Sequence, residues 1–402
     1  MNNKRMKQTV LLAMLLMVVA PVSAQAVADS AKIKVVYSNA IKTFKLKDGS
    51  TYVGEAKGQR PHGKGKKVFP NGDVYEGQFV KGKMQGKGLY LFADGESYDG
   101  EFHQDKQHGN GIYRFNDGRV YDGSWSNDYQ HGYGQMTFPN GDVYIGMWAE
   151  DHREGTGSYF FADGTLYVGE WGKDMRNGMG TFIWSDNSRY VGQWKNGLRN
   201  GKGAYTFANG DKYNGEWKNG VREGHGIYNF ADGAMYEGEY VAGEWCGMGI
   251  YRTGTGSVYR GYFENGLRNG KGEMFFENGA TYTGDWKDNY PDGKGTYTWA
   301  NGDVYEGDWV EGAMHGKGVL RLVNGTRYSG SFEDGHEHGE GVAVDCDGFR
   351  YEGNFTEGQR DGHFKVKDSD GKLIRECEYI MGQQQKQPFV RLMLVSKEQE
   401  QE

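Results

Sequence analysis

Apolar and polar residues alternate along most of this chain in short runs, which Asn-Gly or Asp-Gly pairs separate. In the segment YVGQWKNGLRNGKGAYTFANGDK, Tyr190, Gly192 and Trp194 lie on one side of a predicted strand. A second alternating run follows a turn predicted at Lys195–Asn200. Asn-Gly and Asp-Gly between such runs are typical of β-hairpins, because both central turn residues need positive φ. Each segment therefore predicts one hairpin.

A tyrosine followed two residues later by a glycine recurs every 23 residues, in 14 consecutive units. The tyrosines are Tyr52, Tyr75, Tyr98, Tyr121, Tyr144, Tyr167, Tyr190, Tyr213, Tyr236, Tyr259, Tyr282, Tyr305, Tyr328 and Tyr351. An unbroken period indicates a stack of equal modules. A length of 402 residues would ordinarily suggest two or three domains, but the unbroken period indicates one repeat array instead.

Successive hairpins predict an all-β fold, an elongated single-layer antiparallel β-meander of about 28 strands. Paired glycines such as Gly201 and Gly203 lie inside a strand, where glycine leaves room for a bulky neighbour. We expect that neighbour to be an aromatic ring of the facing strand. The rings of each unit would then line one face of the sheet and bury enough area to hold a single layer together.

The motif Y-x-G-x-W-x-x-G-x-x-x-G-x-G resembles the repeat of the MORN family (membrane occupation and recognition nexus). The resemblance extends from about Tyr52 to Gly371. It implies a twisted single-layer antiparallel sheet with a groove, a MORN repeat solenoid, and roles in scaffolding, dimerisation and membrane or partner association. Four residues depart from the repeat pattern: Ala56, Thr253, Asp345 and Phe364.

The N-terminus is typical of a secretory signal peptide, predicted at residues 1–24. Lys4, Arg5 and Lys7 precede an apolar run at residues 10–20, and Val22-Ser23-Ala24 is typical of a cleavage site. We therefore expect export to a periplasmic, cell-envelope or extracellular location; an uncleaved interfacial segment is the alternative. Loss of these three positive charges would change the net charge from −7 to −7 − 3 = −10, which argues against a nucleic-acid partner.

The ends of the chain are predicted to differ from the array at residues 52–373. Residues 25–51 form a predicted N-terminal cap strand region, whose lysines in IKTFKLK would discourage edge pairing. Residues 374–402 are predicted to hold a C-terminal cap strand, FVRLMLV at 389–395, and a disordered acidic tail. A contact peptide for another envelope protein is the alternative for FVRLMLV.

Enzyme motifs and cofactor-binding motifs are not found, and the repeats leave no room for a fused catalytic domain. A hydrolase would need a clustered acid pair that this lattice does not single out. Five histidines precede the first glycine of the G-x-G pair and interchange there with Asn and Asp, which favours turn chemistry over metal binding: His62, His108, His131, His315 and His338. The three cysteines are interpreted as incidental thiols, with one possible unassigned pair.

Basic residues recur at one repeat position and predict a stripe on one rim of the sheet, continued by lysines three residues later. The arginines are Arg153, Arg176, Arg199, Arg222 and Arg268, and the lysines are Lys202, Lys271, Lys294 and Lys317. Such a stripe could bind anionic phospholipid or polysaccharide, or simply be a solvated turn face balanced by acids. In the gap of this row, Trp245 is either an exposed partner contact or a ring folded back onto the sheet.

The function predicted from these patterns is a non-catalytic exported scaffold that presents a repetitive β-rod to a protein partner, to itself as a homodimer, or to an anionic membrane surface. The alternative is a carbohydrate-binding module with sugars on the aromatic groove, and its rings would be Trp148, Trp171 and Trp194. That alternative requires solvent-open rings, whereas the predicted packing buries them.

Overall fold

A computed structural model describes residues 40–379 and contains β-strands as its regular elements throughout that range. The chain divides into two compact units between Tyr129 and Gln130. Within the described range, no helix has the length and apolarity needed to cross a bilayer. The predicted signal peptide, FVRLMLV at 389–395 and the acidic tail lie outside the described residues.

The first unit is an antiparallel meander in which consecutive strands from β1 to β8 pair with one another. Its strands are β1 (Lys42–Lys45), β2 (Thr51–Lys57), β3 (Arg60–Val68), β4 (Val74–Val80), β5 (Lys83–Leu91), β6 (Ser97–His103), β7 (Lys106–Arg114) and β8 (Val120–Ser126).

The second unit continues the same pattern of antiparallel neighbours. Its strands are β9 (Tyr129–Thr137), β10 (Val143–Ala149), β11 (His152–Phe160), β12 (Leu166–Gly172), β13 (Met175–Ile183), β14 (Arg189–Lys195), β15 (Leu198–Thr206), β16 (Lys212–Lys218), β17 (Val221–Asn229), β18 (Met235–Val241), β19 (Glu244–Arg252), β20 (Val258–Glu264), β21 (Leu267–Phe275), β22 (Thr281–Lys287), β23 (Tyr290–Thr298), β24 (Val304–Val310), β25 (Ala313–Arg321), β26 (Arg327–Glu333), β27 (His336–Val344), β28 (Arg350–Thr356), β29 (Gln359–Lys367) and β30 (Leu373–Tyr379). The predicted all-β antiparallel fold is confirmed, and β30 adds a strand after the last repeat.

The hairpin inside each unit is tighter than the sequence suggested. In β14 and β15, Tyr190 pairs with Tyr205 and Gly192 with Gly203, and a β-bulge follows before Trp194. The turn is Asn196-Gly197, with φ of 50° and 80° at its two residues. The predicted turn at Lys195–Asn200 was therefore too wide, because a two-residue turn with two positive φ angles already matches the twist of the strands.

The two glycines of the G-x-G pair have different roles. A β-carbon added at Gly203 would lie 2.5 Å from Cε2 of Tyr190, and one added at Gly192 would lie 2.6 Å from its hydroxyl oxygen. Gly192 and Gly203 therefore make room for the Tyr190 ring, as was predicted for Gly203. Gly201 instead has φ of +74°, and a β-carbon there would collide with the Gln193 side chain. Its glycine is required by the backbone conformation, which the sequence interpretation did not separate from ring packing.

Aromatic rings cover one face of the sheet in each unit, and we call it the aromatic face. Tyr190 is fully buried, and its ring makes T-shaped contacts with Trp194 in the same hairpin and Trp217 in the next. The Tyr190 hydroxyl donates a 2.9 Å hydrogen bond to the Gln193 carbonyl oxygen. The same pattern recurs around Tyr75 in the first unit. The opposite face, which we call the outer face, carries no comparable ring layer within residues 40–379.

Candidate binding surface

The arginine column (Arg153, Arg176, Arg199, Arg222 and Arg268) lies on the aromatic face. In β15, the Arg199 guanidinium lies 4.2 Å from the ring centroid of Trp217 and 5.2 Å from that of Tyr205. Its Nη2 donates a 2.8 Å hydrogen bond to the Gly220 carbonyl oxygen. Burial lowers the pKa of both Arg199 and Arg176. These cations therefore extend the ring packing of the next repeat.

The predicted basic rim is wrong in its geometry. The arginines occupy strands rather than turns, and each is half-buried over rings: Arg153, Arg176, Arg199, Arg222 and Arg268. Lys202, Lys271, Lys294 and Lys317 lie on the outer face, because they follow the positive-φ glycine and precede the glycine that faces the tyrosine ring. Arginines and lysines are thus on opposite faces and form no common stripe. Whether either group binds an anionic surface remains a prediction.

Trp245 takes the place of an arginine in the column. It lies within β19, not in an exposed turn, and stacks on Tyr236 with centroids 4.1 Å apart and planes 4° apart. It also contacts Phe263 of the following strand. The exposed-turn interpretation was therefore wrong, and the ring folds back onto the sheet.

The aromatic groove offers little ring surface for a sugar. Trp148, Trp171 and Trp194 are 5%, 7% and 5% exposed. Each indole Nε1 donates to the carbonyl oxygen of a glycine in the preceding hairpin. Sugar stacking needs open ring faces, and these rings are used by the fold.

The outer face of β9–β15 carries a stretch of side chains without charge, which we call the charge-free strip. Two cross-strand rows form it. The first is Thr137, Val143, Phe160, Leu166 and Ile183, and it ends where Ile183 pairs with Arg189. The second is Gln135, Ile145, Ser158, Val168, Thr181, Val191 and Ala204, and Asn214 and Ile227 continue it without charge beyond β15. None of these twelve strip side chains is buried, and Phe160 and Ala204 are exposed while the other ten are half-buried. Glu170 and Lys202 lie beside the strip on the same face.

Further along the outer face, β19–β29 line a charged trough of about 1610 Å³. Lys271 pairs with Asp285 at 2.6 Å, and Lys317 donates a 2.8 Å hydrogen bond to the Ser331 hydroxyl. Glutamates also line the trough: Glu273, Glu306, Glu340 and Glu352. Both signs of charge are interspersed, so the trough shows no preference for an anionic partner.

Glu337 is an unusual residue that the sequence interpretation missed. It occupies the arginine-column position in β27, is 4% exposed, and has an Oε2 without a hydrogen-bond partner. Burial raises the pKa of Glu337 to about 8, and Arg360 of the next repeat opposes that rise. The spacing of 23 residues between Glu337 and Arg360 was visible in the sequence, but the face of the sheet on which this column lies was not recognised.

The histidines interpreted as turn residues lie within strands, where the position before the first glycine belongs to the second strand of each hairpin: His62, His108, His131, His315 and His338. Among residues 40–379, no cluster of three or more His, Cys, Asp or Glu side chains is arranged to hold a metal ion.

The profile of the MORN repeat family matches the chain at residues 52–74, 75–97, 98–118, 121–143, 144–166, 167–189, 190–212, 213–235, 236–258, 259–281, 282–304, 305–327, 328–350 and 351–363. These matches cover well over half of the sequence and agree with the period of tyrosine and glycine. The chain belongs to the MORN repeat family.

A comparison with curated proteins finds no match. Similar solved structures include the SAS-4 TCP domain of Drosophila melanogaster with a proline-rich motif of Ana2, at 14% identity, TM-score 0.26, and coverage of 46% of this chain and 97% of that chain. The TCP10 domain of Danio rerio CPAP matches at 12% identity and TM-score 0.20, with coverage of 61% of this chain and 99% of that chain. Virginiamycin B lyase from Staphylococcus aureus matches at 14% identity and TM-score 0.12, with coverage of 72% of this chain and 90% of that chain.

Proposed function

We propose that this protein is a non-catalytic, exported scaffold that binds a protein partner through its outer face. The observation that supports this function is that the two faces of the sheet have different roles. On the aromatic face, tyrosine, tryptophan and arginine side chains are occupied with one another. On the outer face, the charge-free strip and the charged trough leave side chains available for a partner.

Export and surface attachment belong to the same proposal. The basic, apolar and small-residue order of residues 1–24 supports passage through a membrane. Repeated weak contacts along a periodic surface would add to one another, which favours a scaffold over a single-pocket receptor. An anionic membrane surface is a weaker candidate, because the arginine column is packed on rings and the trough lysines face acids.

Site-specific photo-crosslinking in producing cells tests this function. A photoreactive amino acid would replace Met179 or Lys294 on the outer face, and Asn209 at a hairpin end as the control. We expect discrete protein adducts from the outer-face positions in the exported fraction and none from the control. Equal adduct patterns at all three positions, or none at any, would contradict the proposal.

A further inference from the structure

Two histidines of the third repeat lie side by side on the outer face. His103 ends β6 and His108 lies in β7, and the centroids of their imidazole rings are 5.6 Å apart with planes tilted by 46°. Each follows a buried residue of the aromatic face, Phe102 or Gln107, and both are exposed. The third repeat is the one repeat of the 14 with histidine at both positions.

The same two repeat positions also contact each other in other hairpins, where they hold ion pairs. Lys218 Nζ lies 3.3 Å from Glu223 Oε1, and His338 Nε2 lies 3.1 Å from Glu333 Oε2. The hairpin geometry therefore brings these two side chains together wherever they are long enough to meet. In the third repeat it brings together two imidazoles, and neutral imidazole is the commonest metal ligand among side chains.

The separation of the two rings fits one shared metal ion. Imidazole nitrogen binds an ion such as Zn²⁺ at about 2.1 Å, so two ligands in tetrahedral directions place their ring centres about 5 Å apart. The observed separation is 5.6 Å. Exposed side chains change rotamer freely, so His103 and His108 can close this small difference around an ion.

The hydrogen bonds of Gln85 keep one nitrogen of His103 free of a proton. Gln85 Oε1 accepts a 3.2 Å hydrogen bond from the Gln104 backbone N–H, so the amide nitrogen of Gln85 is the donor toward His103 Nδ1 at 3.1 Å. Metal binding requires a neutral imidazole with a lone pair. That lone pair is present at Nδ1, and an ion would take it over from the Gln85 amide.

The charges around the two rings do not oppose a divalent cation. Lys106 pairs with His103 across the hairpin, but its Nζ lies 3.9 Å from Asp128 Oδ2 of the next hairpin. Glu101 precedes the first histidine by two residues on the same strand, and a β-carbon added at Gly109 would lie 2.5 Å from its Oε2. A carboxylate therefore lies against the residue that follows the second histidine.

We propose that His103 and His108 form a two-histidine site for a divalent transition-metal ion, with Cu²⁺ bound more tightly than Ni²⁺ or Zn²⁺. Within residues 40–379, no third His, Cys, Asp or Glu completes the site, so water fills the remaining positions and the ion exchanges with solvent. The inference goes beyond the proposed scaffold function, because the site binds an ion whether or not the outer face binds a protein.

The test is a titration of full-length, untagged protein with CuCl₂, with glycine as a competing chelator, followed by electron paramagnetic resonance. The wild type should bind one ion whose spectrum shows two nitrogen ligands. His103→Lys with His108→Glu reproduces the pair at Lys218 and Glu223, which the fold accepts, and should weaken binding by about tenfold or more.

His131→Gln is the matched control, because His131 occupies the repeat position of His108 in the next hairpin, where Ser126 takes the place of the other imidazole. It should change binding by less than about twofold. Transfer of the site gives the converse measurement: Lys218→His with Glu223→His should roughly double the number of ions bound per chain.

Three outcomes would overturn the inference: no Cu²⁺ binding in competition with glycine, equal losses in the swapped and control variants, or a transferred pair that binds nothing. Loss of the ion in His338→Gln with none in the swapped variant would assign it to His336 and His338 and overturn the inference too. If the swapped variant loses its β circular dichroism, His108→Gln alone has the same expected loss and decides the result.

Discussion

The aromatic face and the outer face of the second unit are built from the same strands, yet they obey different rules. On the aromatic face, the repeat tyrosines from Tyr52 to Tyr328 are at most 1% exposed, and glycines clear the space for their rings. On the outer face, equivalent positions change from Ile145, Val168 and Val191 in β10, β12 and β14 to Arg260, Thr283 and Glu306 in β20, β22 and β24. The fold constrains one face, and the other is free to vary.

This contrast indicates where stability and recognition reside. The Tyr190 ring contacts one ring of its own hairpin and one of the next, so its loss weakens both the packing of one repeat and the interface with the following repeat. An outer-face side chain lies on the solvent side of a single layer, where substitutions away from special features usually change stability by no more than about 0.5 kcal/mol. The following predictions test that division.

The largest effect is expected from Tyr190→Ala. The change removes a fully buried ring, two T-shaped contacts and the hydrogen bond to Gln193, and leaves a cavity lined by Gly192 and Gly203. Large-to-small changes of buried aromatics cost about 3–5 kcal/mol. Amide hydrogen exchange should show that loss in β13–β16. Val191→Ala, one residue away on the outer face, is the control and should cost less than about 1 kcal/mol; comparable losses would remove the distinction between the faces.

The sequence was sufficient for the parts of this architecture that repeat. Hairpins and the ring face follow from alternation, Asn-Gly turns and the 23-residue period, since each is a local rule applied 14 times. The sequence interpretation assigned the arginine position to a turn and therefore missed its direction. In β15, Arg199 alternates in phase with Gly203 and Tyr205, which places it on the aromatic face, and the β-bulge between Gly192 and Trp194 sets it opposite Trp194.

Surface patches were equally hard to predict from the repeat. The charge-free strip depends on which residues align across seven strands, and consecutive members such as Val143 and Phe160 are far apart in sequence. Only the register brings them together. Trp245 illustrates the same limit, because its replacement of an arginine was visible while its stacking on Tyr236 was not.

Glu337 should make the stability of the last repeats depend on pH. Its pKa is about 8 in the fold and 4.5 as the ordinary value, so the folded state binds more protons than the unfolded state between those values. Stability is therefore greatest at low pH and falls as pH rises through about 8, by on the order of 2 kcal/mol after local relaxation. The groups that face this carboxyl are Arg360 and Tyr328.

The measurement for Glu337 is hydrogen exchange of β27–β29 in full-length protein between pH 5 and 9, corrected for intrinsic exchange rates. Glu337→Gln keeps the shape of the side chain and removes its titration, so the stability of β27–β29 in this variant should not change with pH over this range. Glu306→Gln on the outer face is the matched control and should keep the pH dependence of the wild type. A wild-type stability that does not depend on pH, or a pH dependence that Glu337→Gln does not change, would contradict the assignment.

Replacement of Arg176, Arg199 and Arg222 by methionine separates packing from anion binding. Methionine already occupies this column at Met314, where it is buried, so the fold accepts it. Each change removes a cation–π contact and a hydrogen bond to a glycine carbonyl, and should cost about 1 kcal/mol. Arg260→Met on the outer face should cost almost nothing. Co-sedimentation with anionic liposomes should be unchanged in the triple variant; a marked loss with the fold intact would restore the anionic-surface hypothesis.

The smallest effect is expected from Val319→Thr in the trough on the outer face. This change exchanges one β-branched side chain for another in β25. Val319 pairs with Glu306 and Ser329, both polar, so a hydroxyl in that row meets water and hydrogen-bonding neighbours instead of a sealed core. The free energy of unfolding should change by less than about 0.5 kcal/mol in urea titrations. Ala343→Thr, a fully buried position on the aromatic face of the next hairpin, gives the comparison, because added atoms there must displace packed neighbours at about 1–3 kcal/mol. If both threonines were tolerated equally, the outer face would be as constrained as the ring layer, and its variation could not be attributed to recognition.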